Sequence, residues 1–250
     1  VGFIGENGAG KSTTIHLILN ELKKDSGEIK IFGTDHTDCS VKEQIGVVFD
    51  ECNFHDVFTA KNMEKILSGV YRSWDSSLYH QYLKRFGLPS DQPVGTFSKG
   101  MKMKLSLISA LAHKPKLLIL DEATSGLDPV VRDEMLDLFL EFIQEEDHSV
   151  FLSSHITSDI QKVADEVILI RQGKIIFEQL KDDLIYQYGI LKCGKEKFAA
   201  VSPQDYLIHR STNVCEECLV NDKEAAKQKY PDAVVDNATL EDIMLFYSKG

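Results

Sequence analysis

The residues Gly5-Glu6-Asn7-Gly8-Ala9-Gly10-Lys11-Ser12-Thr13 follow the spacing G-x-x-x-x-G-K-[ST], which suits a backbone that wraps a phosphate chain. Glycines let the loop turn inward and aim successive N–H groups at phosphate oxygens. A helix starting at the loop's end adds partial positive charge there, and Lys11 can reach the outer phosphates. Ser12 offers a hydroxyl to an accompanying Mg²⁺. The expected phosphate-binding set is therefore Gly5, Asn7, Gly8, Gly10, Lys11, Ser12 and Thr13. A glycine turn that merely opens a helix is the plainer alternative, and the flanks argue against it. Val1 to Ile4 reads as a buried strand, and Ser12 to Leu22 as a helix with Ile15, Leu19 and Leu22 on one stripe. The glycines do not fit G-x-G-x-x-G, which argues against a dinucleotide site.

A second stretch, Leu117-Leu118-Ile119-Leu120-Asp121-Glu122, is an apolar strand delivering two adjacent carboxylates. At the carboxyl end of a parallel sheet, Asp121 can hold Mg²⁺ and Glu122 can orient or deprotonate an attacking water. Alone such a pair is weak evidence. Behind a phosphate loop it becomes strong.

The elements that must position these groups alternate. Ile45 to Phe49 is an apolar strand ending at Asp50, and Gly27 to Gly33 an alternating strand between glycine turns. From Ala60 to Phe86 the period is helical, with Met63, Ile66, Leu67 and Val70 on one stripe. Ser98 is placed to cap a helix carrying Leu105, Ile108, Leu111 and Ala112. Asp128 and Pro129 open another helix as cap and first residue. Val150 to Leu152 leads into Ser153-Ser154-His155, Thr157 to Ala164 is helical, and Gln172-Gly173 joins a hairpin. Strands alternating with helices predict an α/β fold: a P-loop core with a mainly parallel sheet, interrupted by a helical insert over about residues 55–112. From about Glu178 short strands and helices without a catalytic motif predict a small α+β appendage over 178–250.

The chain has 250 residues, 43% hydrophobic and 27% charged, an ordinary globular composition with material for a core. A net charge of −11 disfavours a nucleic-acid surface. No apolar run reaches the roughly 18 residues that span a bilayer. Five cysteines without a pattern read as reduced thiols; Cys215-x-x-Cys218 has zinc-like spacing but no companion pair. The chain opens at Val1 inside an expected core strand, so a preceding segment is expected.

With both phosphate-site motifs in hand, the chain resembles the ATPase subunit of ATP-binding cassette (ABC) transporters. Ser125-Gly126-Leu127-Asp128 resembles that family's D-loop, Ser153-Ser154-His155 its histidine switch, and Phe97-Ser98-Lys99-Gly100-Met101 stands at its LSGGQ signature. The five motifs occur in the family's order, and the resemblance covers residues 1–177. It implies ATP and Mg²⁺ as ligands, with Ser12, Asp121 and Asp50 on the metal, Glu122 activating water and His155 contacting the γ-phosphate. It implies that Ser98, Gly100 and Asp128 meet ATP held by a second ATPase subunit in a head-to-tail dimer. It also implies a membrane permease partner, hence a cytoplasmic protein peripheral to the inner face of the membrane, resembling exporter ATPases. Lys99 and Met101 depart from the family's glycine and glutamine, and Asp50-Glu51 stands where the Q-loop glutamine belongs. The family's adenine-stacking aromatic lies upstream of the P-loop. Two other classes stand beside this reading: a soluble ABC ATPase acting on ribosome or DNA, and a nucleotide-binding regulator with little turnover. Co-purification with a membrane protein separates the first from the transporter reading; turnover with that partner tests the second.

Overall fold

Strand β1 (Gly2–Ile4) is three residues long, wholly buried, and has a parallel partner on each side. The structure, a computed structural model, describes residues 1–249. Helix α1 (Lys11–Ile18) follows the loop, and β2 (Lys30–Ile31) and β3 (Thr34–Asp35) form a two-stranded hairpin. After α2 (Cys39–Lys42) and β4 (Ile45–Val48) come the helices of the insert, α3 (Ala60–Val70) and α4 (Ser76–Arg85), and then α5 (Lys99–Leu111). Strand β5 (Leu117–Asp121), helix α6 (Pro129–Phe142), strand β6 (Ser149–Ser153), helix α7 (Thr157–Val163), and strands β7 (Glu166–Arg171) and β8 (Lys174–Leu180) complete the first layer set. The large sheet runs β4-β5-β6-β1-β7-β8, parallel except for the last pair. Its five parallel strands and flanking helices are the α/β P-loop architecture expected.

Several elements are shorter than their patterns predict. Helix α1 ends at Ile18 rather than Leu22, because Asn20 takes φ +59. The Asn20 N–H donates to Leu17 O and the Glu21 N–H to His16 O, a Schellman closure that leaves Leu22 outside the helix and 45% exposed. The Gly27–Gly33 strand shrinks to Lys30–Ile31, since Phe32 and Gly33 both turn to positive φ and make a tight hairpin. The stripe on α3 is half right: Met63 is buried, but Ile66 and Val70 are 44% and 64% exposed. The insert has its own core, where Tyr79, Leu83 and Val94 meet Leu105 and Ile108 of α5. On its other side α5 sends Met103 and Leu107 into the core under the large sheet.

The C-terminal part contains α8 (Lys181–Gln187), β9 (Gly189–Cys193), α9 (Lys195–Phe198), β10 (Ile208–Ser211), β11 (Glu216–Val220), α10 (Lys223–Lys229), β12 (Val234–Asn237) and α11 (Leu240–Lys249). Its antiparallel sheet runs β10-β11-β9-β12. Strand β11 was not foreseen, because it opens with Glu216 and Glu217. Both acids have partners: Glu216 accepts from Ser211 Oγ at 2.5 Å and His209 Nε2 at 2.7 Å, and Glu217 from Arg210 Nε at 2.6 Å. Cys215 stands just before β11 and Cys218 is buried within it, and among the described residues no group of three or more His, Cys, Asp or Glu side chains could hold a metal ion. Burial pushes the Cys218 thiol up to about 12. Among the described residues no helix is long and apolar enough to cross a membrane.

Residue 177 falls inside β8, and Ile190, Leu219, Ile243 and Phe246 join the apolar cluster that holds Ile4, Leu120 and Leu152. Phe246 is fully buried, with the Arg210 guanidinium 4.2 Å from its ring centroid. Phe246→Ala is expected to lower unfolding free energy by about 3–5 kcal/mol. Because the two parts share one core, thermal unfolding of the variant should remain a single transition. Two transitions in calorimetry would show that residues 178–249 unfold by themselves.

Candidate functional site

Four neighbouring strands end at one level, and each hands over one part of the site. The phosphate loop leaves β1, Asp50 leaves β4, Asp121 and Glu122 end β5, and His155 follows β6. The register holds them level: Val48 pairs with Leu120, Asp121 with Ser153, and Ser153 with Phe3. Two adjoining cavities result. One, of about 300 Å³, is walled by Asn7, Gly8, Gly10, Lys11, Ser12 and Thr13 together with Asp50 and Glu122. The other, of about 340 Å³, brings Ser12, Asp50, Asp121 and Glu122 against His16 and Glu51.

Within the loop, Gly8 and Gly10 hold φ +81 and +112, values that an L side chain strains against. Gly5 is required for a different reason: a Cβ there would stand 2.5 Å from the Ile170 carbonyl oxygen. The loop is tied to the sheet's far side by the Gly173 N–H, which donates to Ala9 O at 2.8 Å.

Lys11, 6% exposed, is folded back on its own loop. Its Nζ donates to Gly5 O at 2.8 Å and stands 3.3 Å from Glu122 Oε1. That second contact is an ion pair without hydrogen-bond alignment, so Glu122 Oε1 remains a buried carboxylate oxygen with no donor. The other oxygen, Oε2, accepts from His155 Nδ1 at 2.6 Å and from the His155 backbone N–H at 3.3 Å. Glu122 itself has φ +52, rare for any residue with a Cβ, and its N–H is fixed to Ser153 O at 3.0 Å. The strained turn aims the carboxylate back over the loop instead of along the strand.

Asp121 lies on the same edge, buried, and its Oδ1 has no hydrogen-bond partner. An ionised oxygen left bare in a polar cavity fits a site for a hard cation. Ser12 and Asp50 line the same cavity, so the three expected metal ligands are brought together.

Ser98, Gly100 and Asp128 are not part of this group, and none of the three lines either cavity. They gather where α5 and α6 start. Ser98 Oγ accepts from Met101 N at 3.2 Å, and Asp128 Oδ1 accepts from the N–H groups of Val130 and Val131. A Cβ on Gly100 would be 3.1 Å from Val131, and Lys99 Nζ lies against Gly126 of the D-loop-like turn. Sequence reasoning missed the tertiary contacts behind the site, above all Asp159, which bonds Thr124 and Arg132 across long separations. Only its position four residues after His155 could have drawn notice. It also missed His16, one helical turn beyond Ser12 on α1.

The two kinds of glycine predict different losses. Gly8→Ala, with open space around its Cβ, is expected to cost about 1–2 kcal/mol of left-handed strain. Gly5→Ala must displace β7 backbone and should cost more than that. Urea unfolding of both variants ranks them.

The chain matches the ABC transporter family model over residues 1–125. It is 38% identical over 181 residues to the bacitracin transport ATP-binding protein BcrA of Bacillus licheniformis, covering 71% of this chain and 59% of that protein. It is 35% identical over 192 residues to the ABC transporter ATP-binding protein NatA of Bacillus subtilis (strain 168), covering 74% and 78%. A solved ATP-binding subunit of an ABC transporter superposes with TM-score 0.64 at 26% identity, over 73% of this chain and 79% of that one. The chain thus spans less than two thirds of the length of BcrA. Through the matched family model, the similarity to these relatives and the shared fold, this chain belongs to the ABC transporter family.

Proposed function

We propose that the chain binds and hydrolyses ATP as the ATPase subunit that powers a separate membrane permease. The observation that carries this reading is the convergence of Lys11, Ser12, Asp50, Asp121 and Glu122 on two adjoining polar cavities, with His155 bonded to Glu122, from four adjacent strand ends. ATP's phosphates would take the loop N–H groups, and Lys11 would leave Gly5 O for them. Glu122 Oε1, already bare of donors, is the oxygen that would accept a proton from water. His155, held by the other oxygen, would reach the γ-phosphate. Ser12, Asp121 and Asp50 would hold Mg²⁺, which supplies charge neutralisation on the phosphate oxygens when bound.

Ser98, Gly100 and Asp128 sit away from the cavity of their own chain, which supports their use against the ATP of a second subunit in a head-to-tail pair. The insert of about residues 55–112 would face the permease, with residues 178–250 as an accessory unit. The likeness to BcrA, named for bacitracin transport, supports an exporter with peptide antibiotics as the cargo class. The protein would then work in the cytoplasm, at the inner face of the membrane, and the acidic balance gives nucleic acid no part in it.

Glu122→Gln tests the assignment. It keeps side-chain shape and removes the base, so the variant should bind Mg-ATP, turn over at least about a hundredfold more slowly, and accumulate as a dimer in sizing columns. Wild-type turnover in the variant would remove Glu122 from this role.

Asp50 gives a second test. A carboxylate in place of the Q-loop amide is a stronger ligand for a hard cation, and it also repels a triphosphate that arrives without one. ATP affinity should therefore rise more steeply with Mg²⁺ in the wild type than in Asp50→Asn. Superimposable titrations would leave Asp50 a loop residue.

A further inference from the structure

The contact between Glu122 and His155 is doubled by a buried one between the same two loops. Asp159 lies in the first turn of α7, four residues past His155, and is 1% exposed. Its Oδ2 accepts from Thr124 Oγ1 at 2.7 Å, and Thr124 lies two residues past Glu122, equally buried. Its Oδ1 accepts from Arg132 Nε at 2.7 Å, while Arg132 Nη2 donates to Ser158 Oγ at 2.7 Å. An ionised carboxylate this deep persists only when both oxygens are satisfied, so Thr124 and Arg132 fix its place.

The way α7 begins sharpens the point. Its N-cap position, Ile156, supplies no side-chain cap. Asp159 is the third residue of the helix, where an acid ordinarily reaches back to the cap N–H. Here it turns outward to Thr124 and Arg132 instead. The start of α7, and with it His155, is therefore tied to the β5 turn rather than to its own helix end. None of Thr124, Arg132 and Asp159 lines the phosphate cavities.

We propose that Thr124 and Asp159 are positioning residues for the Glu122–His155 pair, and that Arg132 ties that pair to α6, the helix opened by Asp128. The inference rests on the ATPase reading for its effect on turnover, but not for its effect on His155. Movement at the start of α6 would reach the pair through one guanidinium.

Thr124→Val keeps volume and loses the donor; Thr124→Ser keeps the donor. In the full chain without nucleotide, Val should displace the assigned His155 ring nitrogen resonance while Ser leaves it near the wild-type position. In ATP turnover, Val should lower kcat about ten- to a hundredfold with KM changed by less than about twofold, and Ser should restore most of the loss. Arg132→Lys, which keeps charge without the fork, should displace the same resonance should Thr124→Val fail to fold. An unmoved His155 resonance in the folded variants, or equal kcat losses for Val and Ser, would reduce the network to a staple between α6 and α7 and overturn the proposal. Absent turnover in the wild type would count against the ATPase reading alone, since the nucleotide-free resonances still decide the positioning role.

Discussion

The register of β1 between β6 and β7 is the constraint on which the site depends. Parallel neighbours pair residue for residue, and a slip of one position would send every side chain of this doubly buried strand to the opposite face. With Phe3 and Ile4 buried and Gly2 pressed against α7, no slip is tolerated. A Cβ on Gly2 would come within 2.4 Å of Ile160 Cγ2. The helix that follows His155 therefore packs directly on the strand that launches the phosphate loop. Loop and histidine are set relative to each other by apolar contact before any polar group in the cavity is considered.

On that frame the site is held by its own charges. The Lys11 ammonium, the Glu122 carboxylate and the His155 ring form a chain across the cavity mouth, each ordering the next. Glu122 can stand there only because its backbone takes a left-handed turn, and the bond from its N–H to Ser153 O maintains that turn. Such strain persists where surrounding structure over-determines it, here through five-strand pairing on one side and the Thr124–Asp159 bond on the other. The arrangement leaves Asp121 Oδ1 and Glu122 Oε1 bare, and two buried anionic oxygens facing one cavity favour the arrival of a cation.

What the sequence made legible was whatever is written locally. The phosphate loop, the Leu117–Asp121 strand, the caps at Ser98 and Asp128 and the Gln172-Gly173 turn each reside in fewer than a dozen consecutive residues, and each stands where its pattern places it. The failures have a common cause, a local pattern overruled by partners far along the chain. Strand β11 hides behind two glutamates whose neutralising groups, His209 and Arg210, lie on the next strand. The α3 stripe promised burial for Ile66 and Val70, yet the insert's core is built instead from α4 and α5 around Tyr79. Asp159 carried no signal, because the residues that make it consequential are 27 and 35 positions away.

Helix α5 shows how the two groups of site residues are mechanically joined. It begins at Ser98, beside the D-loop-like turn, and ends near His113, in a cavity of about 210 Å³ that also borders Phe49 and Tyr71. Thirteen residues make a rod of about 20 Å. Leu105 and Ile108 lock one side into the insert, and Met103 and Leu107 lock the other under the large sheet. A helix packed on both sides at interior density shifts as a body rather than bending. Its far end is anchored where His113 Nε2 donates to Ile45 O at 3.1 Å while its ring stacks on Tyr71 at 4.0 Å. Burial holds that imidazole below its ordinary pKa, which favours the neutral ring at the anchor. A displacement at the Ser98 end would then be passed toward the cavity beside Phe49, the residue that precedes Asp50, joining the capped start of α5 to the proposed cation site.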